Sequence, residues 1–346
     1  MKQLTQVMPT QATAVTDTRR KVLLLGASGT IGQATARALL RRGHLVVCLV
    51  RPRHDDSSSQ SAQRMVTRLP GATIRWGDAC DVHSLVRDGF AQDQFDAVVS
   101  CMASRTGAPQ DAWRVDHQAH LDALQVAQSA GVKHFVLLSA ICVQKPVLAF
   151  QKAKLAFEQA LIDSGMTYSI IRPTAFFKSL AGQLERVKRG KPFLIFGNGQ
   201  LTACKPISDD DLGDFIASCL DQPERHNRIL PIGGPGPAIT PREQGEHLFK
   251  LLGMPARFKS LPVALLDVII LVLHVMGKAS KTAAVKAELA RIGRYYATES
   301  MLVFNTATQQ YDAAATPSHG SQTFFDAQAK WVLGEGVPDR GEHKVF

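Results

Sequence analysis

A chain of 346 residues with 45% hydrophobic and 20% charged side chains has globular composition and enough length for one large core or two, which excludes a disordered chain. Its formal net charge of +10 suits an anionic partner: a phosphorylated cofactor, a carboxylate-bearing substrate, nucleic acid or an acidic membrane surface. No nucleic-acid module is recognisable, the six cysteines form no C-x-x-C pair and the eleven histidines no H-E-x-x-H, so neither nucleic acid nor a metal is expected and the cysteines are read as reduced core residues.

Residues 1–19 lack the apolar core of a secretory signal and are short for an organelle transit peptide, so they read as a disordered leader on a cytoplasmic, bacterial protein. Lys21-Val-Leu-Leu-Leu is an apolar run of strand length; it ends in Gly26, and a proline-free helical segment runs from Thr30 to Leu40. Three glycines therefore stand at a strand-to-helix join. Gly26 permits the tight turn, Gly29 lets backbone approach a pyrophosphate and Gly32 allows close helix–strand packing. Ser28, Thr30 and Ile31 complete a turn whose exposed amides favour phosphate charge. The spacing G-x-x-G-x-x-G resembles that of extended or atypical short-chain dehydrogenases/reductases.

The second strand, Leu45 to Val50, runs into Arg51-Pro-Arg53 with no acid until Asp55. An NAD site places a carboxylate here for the ribose 2′-hydroxyl; two guanidinium groups suit a 2′-phosphate, so the expected cofactor is NADPH. After a polar stretch from Asp55 to Gln63, Thr73 to Trp76 is the third strand. Asp78 and Ala79 follow it on the expected adenine side, although Asp78 could also cap the short helix Val82 to Arg87, for which Asp81 is the better cap. Phe95 to Ser100 is the fourth strand, with Cys101 to Ser104 facing the crevice; a helix from Trp113 to Ala130 leads to the fifth, Lys133 to Ser139. Strands alternating with helix-length segments predict βαβ units and a doubly wound parallel α/β sheet.

Ser139 takes the place of the short-chain dehydrogenase serine, and Lys154 that of the lysine in a Tyr-x-x-x-Lys pair. The tyrosine is replaced by Phe150, which has no proton to give to a carbonyl oxygen, so carbonyl reduction of the usual kind is not expected. Lys154 is still expected to hold the nicotinamide ribose. Thr167 to Ile171 is the sixth strand, and the resemblance to short-chain reductases implies that Pro173 and Thr174 in the following turn bring backbone against the nicotinamide.

Beyond residue 175 the pattern changes. Phe176, Phe177, Leu180 and Leu184 mark a helix, and Ser208 caps another whose first turn carries three acids. Residues 176–346 read as a smaller, mostly helical substrate region attached to an NADPH-binding domain at 20–175, with about 205–235 returning to the sheet. Helices are also expected over Pro241 to Leu252, Ala283 to Tyr296 and Phe324 to Val332. Leu261 to Met276 is strongly apolar but shorter than the roughly 20 residues needed to cross a bilayer, and it includes Pro262, Asp267 and His274. It reads as a buried helix, the wall of an apolar pocket, or a surface in peripheral contact with a membrane.

Ser139-Ala-Ile-Cys-Val-Gln-Lys-Pro146, Phe150 to Glu158, Ile171 to Ser179, Leu201 to Ser208 and Tyr295-Tyr-Ala-Thr-Glu-Ser-Met301 resemble the divinyl chlorophyllide a 8-vinyl-reductase family of atypical short-chain reductases. The resemblance runs from about Lys21 to the C-terminus. It implies NADPH-dependent reduction of the 8-vinyl group of divinyl chlorophyllide, or of its protochlorophyllide precursor, to ethyl. The tetrapyrrole would meet apolar surfaces such as Phe150, Phe176, Phe177 and the apolar segment, with Lys154 and Ser139 as candidate catalytic groups. Two alternatives stay open: another atypical NADPH reductase, of isoflavone-reductase or quinone-reductase type, and a non-catalytic NADPH sensor or assembly factor. The oligomeric state is not legible.

Overall fold

A computed structural model describes residues 19–52, 63 and 65–338. Residues 1–18 of the leader, Arg53 and nearly all of the polar stretch from Asp55 lie outside the described residues. Seven strands form one parallel sheet: β1 (Lys21–Leu25), β2 (Leu45–Val50), β3 (Thr73–Trp76), β4 (Ala97–Ser100), β5 (His134–Leu138), β6 (Thr167–Pro173) and, after β7 (Phe193–Phe196), β8 (Arg228–Ile232). Their order is β3-β2-β1-β4-β5-β6-β8. The order reverses between β1 and β4, and ligands of such sheets lie in the crevice beyond the carboxyl ends at that point.

The apolar runs read as strands are buried because helices cover both faces of the sheet. One core joins alternate sheet residues such as Val22, Leu24 and Cys48 to helices Thr30–Arg41 and Asp209–Ser218. The other joins Leu23, Leu25 and Val98 to helices Ala119–Ser129 and Ala149–Asp163. Gly213 sets the spacing on the first face, since a Cβ there would stand 2.6 Å from the Ala34 carbonyl carbon. Strand β8 pairs with β6, so residues from the second half of the chain complete the sheet.

A third core holds the C-terminal region together, around Phe177, Phe193, Phe249, Phe324 and Trp331. It includes a small parallel sheet of β7 with β9 (Phe258–Leu261) and lies beside a hairpin of β10 (Val303–Asn305) and β11 (Gln310–Asp312). Helix Phe324–Val332 has the expected bounds.

Three expectations need correction. The helix read as Trp113 to Ala130 starts at Pro109, passes through a π-helical stretch Trp113–Gln118 and ends at Ser129. The short helix capped by Asp81 likewise continues past Arg87 as a π-helical stretch, Leu85–Phe90. The largest correction concerns the apolar segment: it forms helix Ala264–Gly277, yet of its fourteen residues only Leu266 is buried. Among the described residues its main covering neighbour is helix Lys281–Thr298, where a strand of the sheet has two layers.

Candidate active site

The glycine turn follows β1 at the reversal point. Gly26 has φ 81°, and an added Cβ would stand 2.7 Å from the Cys101 carbonyl carbon, so any side chain would strain the backbone and push the end of β4 away. At Gly32 a Cβ would approach Gly26 O to 2.2 Å. Gly29 differs: the nearest protein atom to its Cβ would be Gly26 O at 3.5 Å, so the protein alone does not demand glycine there, and the open space is a cradle for a ligand. Ser28 and Gly29 are exposed, Thr30 is half-buried and Ile31 is buried. Helix Thr30–Arg41 has no side-chain cap and no acid in its first turn, which leaves its N-terminal amides for an anion.

Lys178, in the short helix Phe177–Leu180, reaches across to this turn, its Nζ donating to Thr30 Oγ1 at 2.9 Å. A cation beside helix amides and an open glycine turn is what a pyrophosphate requires. Sequence reasoning quoted this residue without assigning it. Arg51, exposed after β2, stands 3.7 Å from Asp78 Oδ2. That surface pair is weak enough to open for a 2′-phosphate. Asp78 Oδ1 also accepts from the Cys80 amide, and Ala79 is half-buried beside it.

Several segments meet around Lys154, where the sequence places the nicotinamide ribose. Lys154 is buried and its Nζ lies 3.0 Å from Asp116 Oδ1, on the π-helical stretch after β4. The Ser104 amide also donates to Asp116 Oδ1, while Oδ2 is buried with no hydrogen-bond partner among the described residues. An orphaned carboxylate oxygen beside an ammonium is a site for ligand hydroxyls such as those of a ribose. Sequence reasoning missed Asp116, although an acid in register with the buried Ala119, Ala123 and Ala127 was a legible signal. Next to it, buried His120 donates from Nδ1 to the Val115 carbonyl and accepts from Ser100 Oγ at Nε2, 2.8 Å. Burial, reinforced by the Lys154 charge, pushes its pKa down to about 4, so the ring is neutral near pH 7.

Ser139 does not join Lys154. Its hydroxyl donates to Glu158, which also receives the Arg172 guanidinium, so this serine is buried in a polar network behind the crevice. Thr174, buried after Pro173, donates to the Lys205 carbonyl and ties the end of β6 to the C-terminal region. Phe150 is half-buried; an added Cβ at Gly107 would meet Ile292 at 2.7 Å and the Phe150 ring at 3.6 Å, so loop, helix and C-terminal helix converge there. Tyr296, one turn beyond Ile292, aims its hydroxyl at Cys142 Sγ, 3.8 Å away, and Tyr295 donates to the Cys142 carbonyl at 2.9 Å.

Phe177 is not at a substrate surface. It is buried, with ring centroids 5.6 Å from Phe324 and 6.4 Å from Trp331, which makes it a core residue. Phe176 is half-buried against the sheet core. Among the described residues no cluster of histidine, cysteine or acidic side chains could hold a metal.

The glycine cradle, Lys178 and the Asp116–Lys154 pair thus fit a dinucleotide, and known proteins agree. A family described as NAD(P)H-binding matches residues 26–223. The chain is 48% identical over 335 residues to a chloroplastic divinyl chlorophyllide a 8-vinyl-reductase of Oryza sativa subsp. indica, covering 94% of this chain and 82% of that protein. It is 26% identical over 251 residues to the photosystem II assembly factor Ycf39 of Synechocystis, with 71% and 72% covered. In fold it matches the leucoanthocyanidin reductase–NADPH complex of Vitis vinifera with a TM-score of 0.65 at 16% identity, over 90% of this chain and 99% of that one. With nearly half of its residues shared along almost its whole length, and an NAD(P)H-binding crevice in place, the chain belongs to the divinyl chlorophyllide a 8-vinyl-reductase family.

Proposed function

We propose that this protein reduces the 8-vinyl group of divinyl chlorophyllide a, or of its protochlorophyllide precursor, to ethyl at the expense of NADPH. The observation that carries this reading is the 48% identity to a named reductase over 94% of the chain, joined to an active site that keeps Lys154 and lacks the tyrosine. Bound NADPH supplies the hydride. A vinyl group conjugated to a macrocycle spreads the resulting charge over the ring, so no carbonyl oxygen needs a proton and Phe150 is no obstacle.

The chain's own residues hold and orient. Gly29 and the first amides of helix Thr30–Arg41 take the pyrophosphate with Lys178, Arg51 takes the 2′-phosphate, and Asp116 fixes the Lys154 ammonium at the ribose. Phe150, Ile292 and Tyr296 offer an apolar wall to the tetrapyrrole plane. The proton for carbon comes from Lys154, from the Tyr296 side of the crevice or from water. Peripheral contact with a membrane belongs to the same reading.

The test is anaerobic incubation of purified protein with NADPH and divinyl chlorophyllide a, following the Soret band and product mass. The expected result is a blue shift and a gain of two hydrogens, with little reaction from NADH. No change in a preparation that demonstrably binds NADPH sinks the assignment for this substrate. Weight then moves to the precursor, and after it to the non-catalytic reading that Phe150 and the likeness to Ycf39 favour.

A further inference from the structure

We infer that helix Ala264–Gly277 is a docking surface for an anionic lipid bilayer, on which it lies flat without crossing. Val268, Leu271, Val272 and Val275 recur at helical spacing and form one stripe; Leu271 is 63% exposed and Val268 and Val275 are each 58% exposed. Leu265, Ile269 and Met276 widen it. A run of large apolar side chains this continuous on a soluble surface marks an interaction site.

Charge selects the occupant. The stripe's one acid, Asp267, is ion-paired with Arg294 of the underlying helix, and Glu288 of that helix is paired with Arg291 at 2.9 Å. Exposed Lys259 precedes the helix and exposed Lys278 and Lys281 follow it, so cations flank the apolar stripe at both ends. Lysines so placed reach lipid phosphates while the stripe enters the acyl boundary. A second copy of the chain would instead bring the same lysines against themselves. Fourteen residues rise about 21 Å, less than the roughly 30 Å of a hydrocarbon core, and no helix among the described residues is long and apolar enough to cross a membrane. The helix rests on helix Lys281–Thr298, which carries Ile292 and Tyr296 to the crevice, so the bound surface is one helix away from the apolar wall proposed for the tetrapyrrole.

The experiment is co-sedimentation of the full chain with vesicles of phosphatidylglycerol and phosphatidylcholine, compared with phosphatidylcholine alone, at low and high salt. No tetrapyrrole is needed, so failure of the reductase reading leaves this result interpretable. The chain should pellet with the anionic vesicles and be released in part by salt. Leu271→Glu with Val275→Glu should weaken binding at least about tenfold on both lipids, while Lys278→Glu with Lys281→Glu should weaken it at least about thirtyfold on anionic vesicles only, from roughly 1 kcal/mol per lysine. NADPH titration and the thermal midpoint report that each variant is folded. A chain that stays in the supernatant with anionic vesicles, or binding that survives Leu271→Glu with Val275→Glu, overturns the inference. So does light scattering that shows a lipid-free dimer which those same two substitutions dissociate.

Discussion

Strand β2 and helix Ala264–Gly277 are of comparable apolar composition, yet five of the six strand residues are buried and one of the fourteen helical residues is. The strand lies inside a sheet with helical layers on both faces; among the described residues the helix packs mainly on one neighbour and leaves most of its side chains exposed. Apolar sequence therefore states a requirement for burial without saying who meets it. On the cofactor side the chain meets it by itself, and on the C-terminal helix it does not.

The largest expected effect would confirm how tightly the cofactor side is determined. Asp116→Ala leaves the Lys154 ammonium buried without its partner, which should cost about 3–5 kcal/mol in denaturant unfolding. Adding Lys154→Met should cost less than the sum, because the stranded charge is then gone; additive losses would mean the pair is not coupled. Leu24→Ala, at a fully buried core position, should cost about 2–5 kcal/mol, whereas Leu271→Ala on the exposed stripe should stay within about 0.5 kcal/mol. Equal costs for the two leucines would end the contrast between the regions.

Acid should loosen the sheet domain first. Burial lowers the pKa of His120 to about 4 and that of His134 to about 3, against 6.5 for the free side chain. Between those values and pH 6.5 the unfolded chain binds protons that the native state does not, so stability falls as pH drops through this window. His120 alone accounts for about 3 kcal/mol of that loss by pH 4. His120→Gln should flatten the stability profile between pH 6.5 and 4, read by urea midpoints at each pH.

Smaller effects concern binding alone. Lys178→Met should raise the NADPH dissociation constant about tenfold, the order expected when one charge-assisted phosphate contact is lost. Arg51→Ala should raise it for NADPH and leave NADH nearly unchanged. An equal effect on both dinucleotides would remove Arg51 from the 2′-phosphate.

How legible each part was depends on whether its cause is local. The turn glycines follow from backbone geometry over a few residues: φ 81° at Gly26 and a 2.2 Å approach at Gly32 admit no side chain, and such constraints stay visible in one sequence. The strand runs, the Ser208 cap and helix Phe324–Val332 were legible for the same reason. Lys178 and Asp116 were not assigned, because each acts on a group 148 or 38 residues away that only the folded sheet brings near. Phe177 was misread for the opposite reason, since its pattern is that of any apolar helix face and only Phe324 and Trp331, packed from the C-terminus, make it core.

The sequence by itself determined the doubly wound sheet, the glycine cradle and the absence of a tyrosine proton donor, because periodicity, turn chemistry and side-chain identity are properties of short segments. The tertiary structure decided that Ser139 serves Glu158 rather than Lys154, that Asp116 anchors Lys154, and that the most apolar helix faces outward. Those outcomes depend on which surfaces meet across the fold, and a buried ion pair or a bare apolar face exists only once both sides of the contact have been placed.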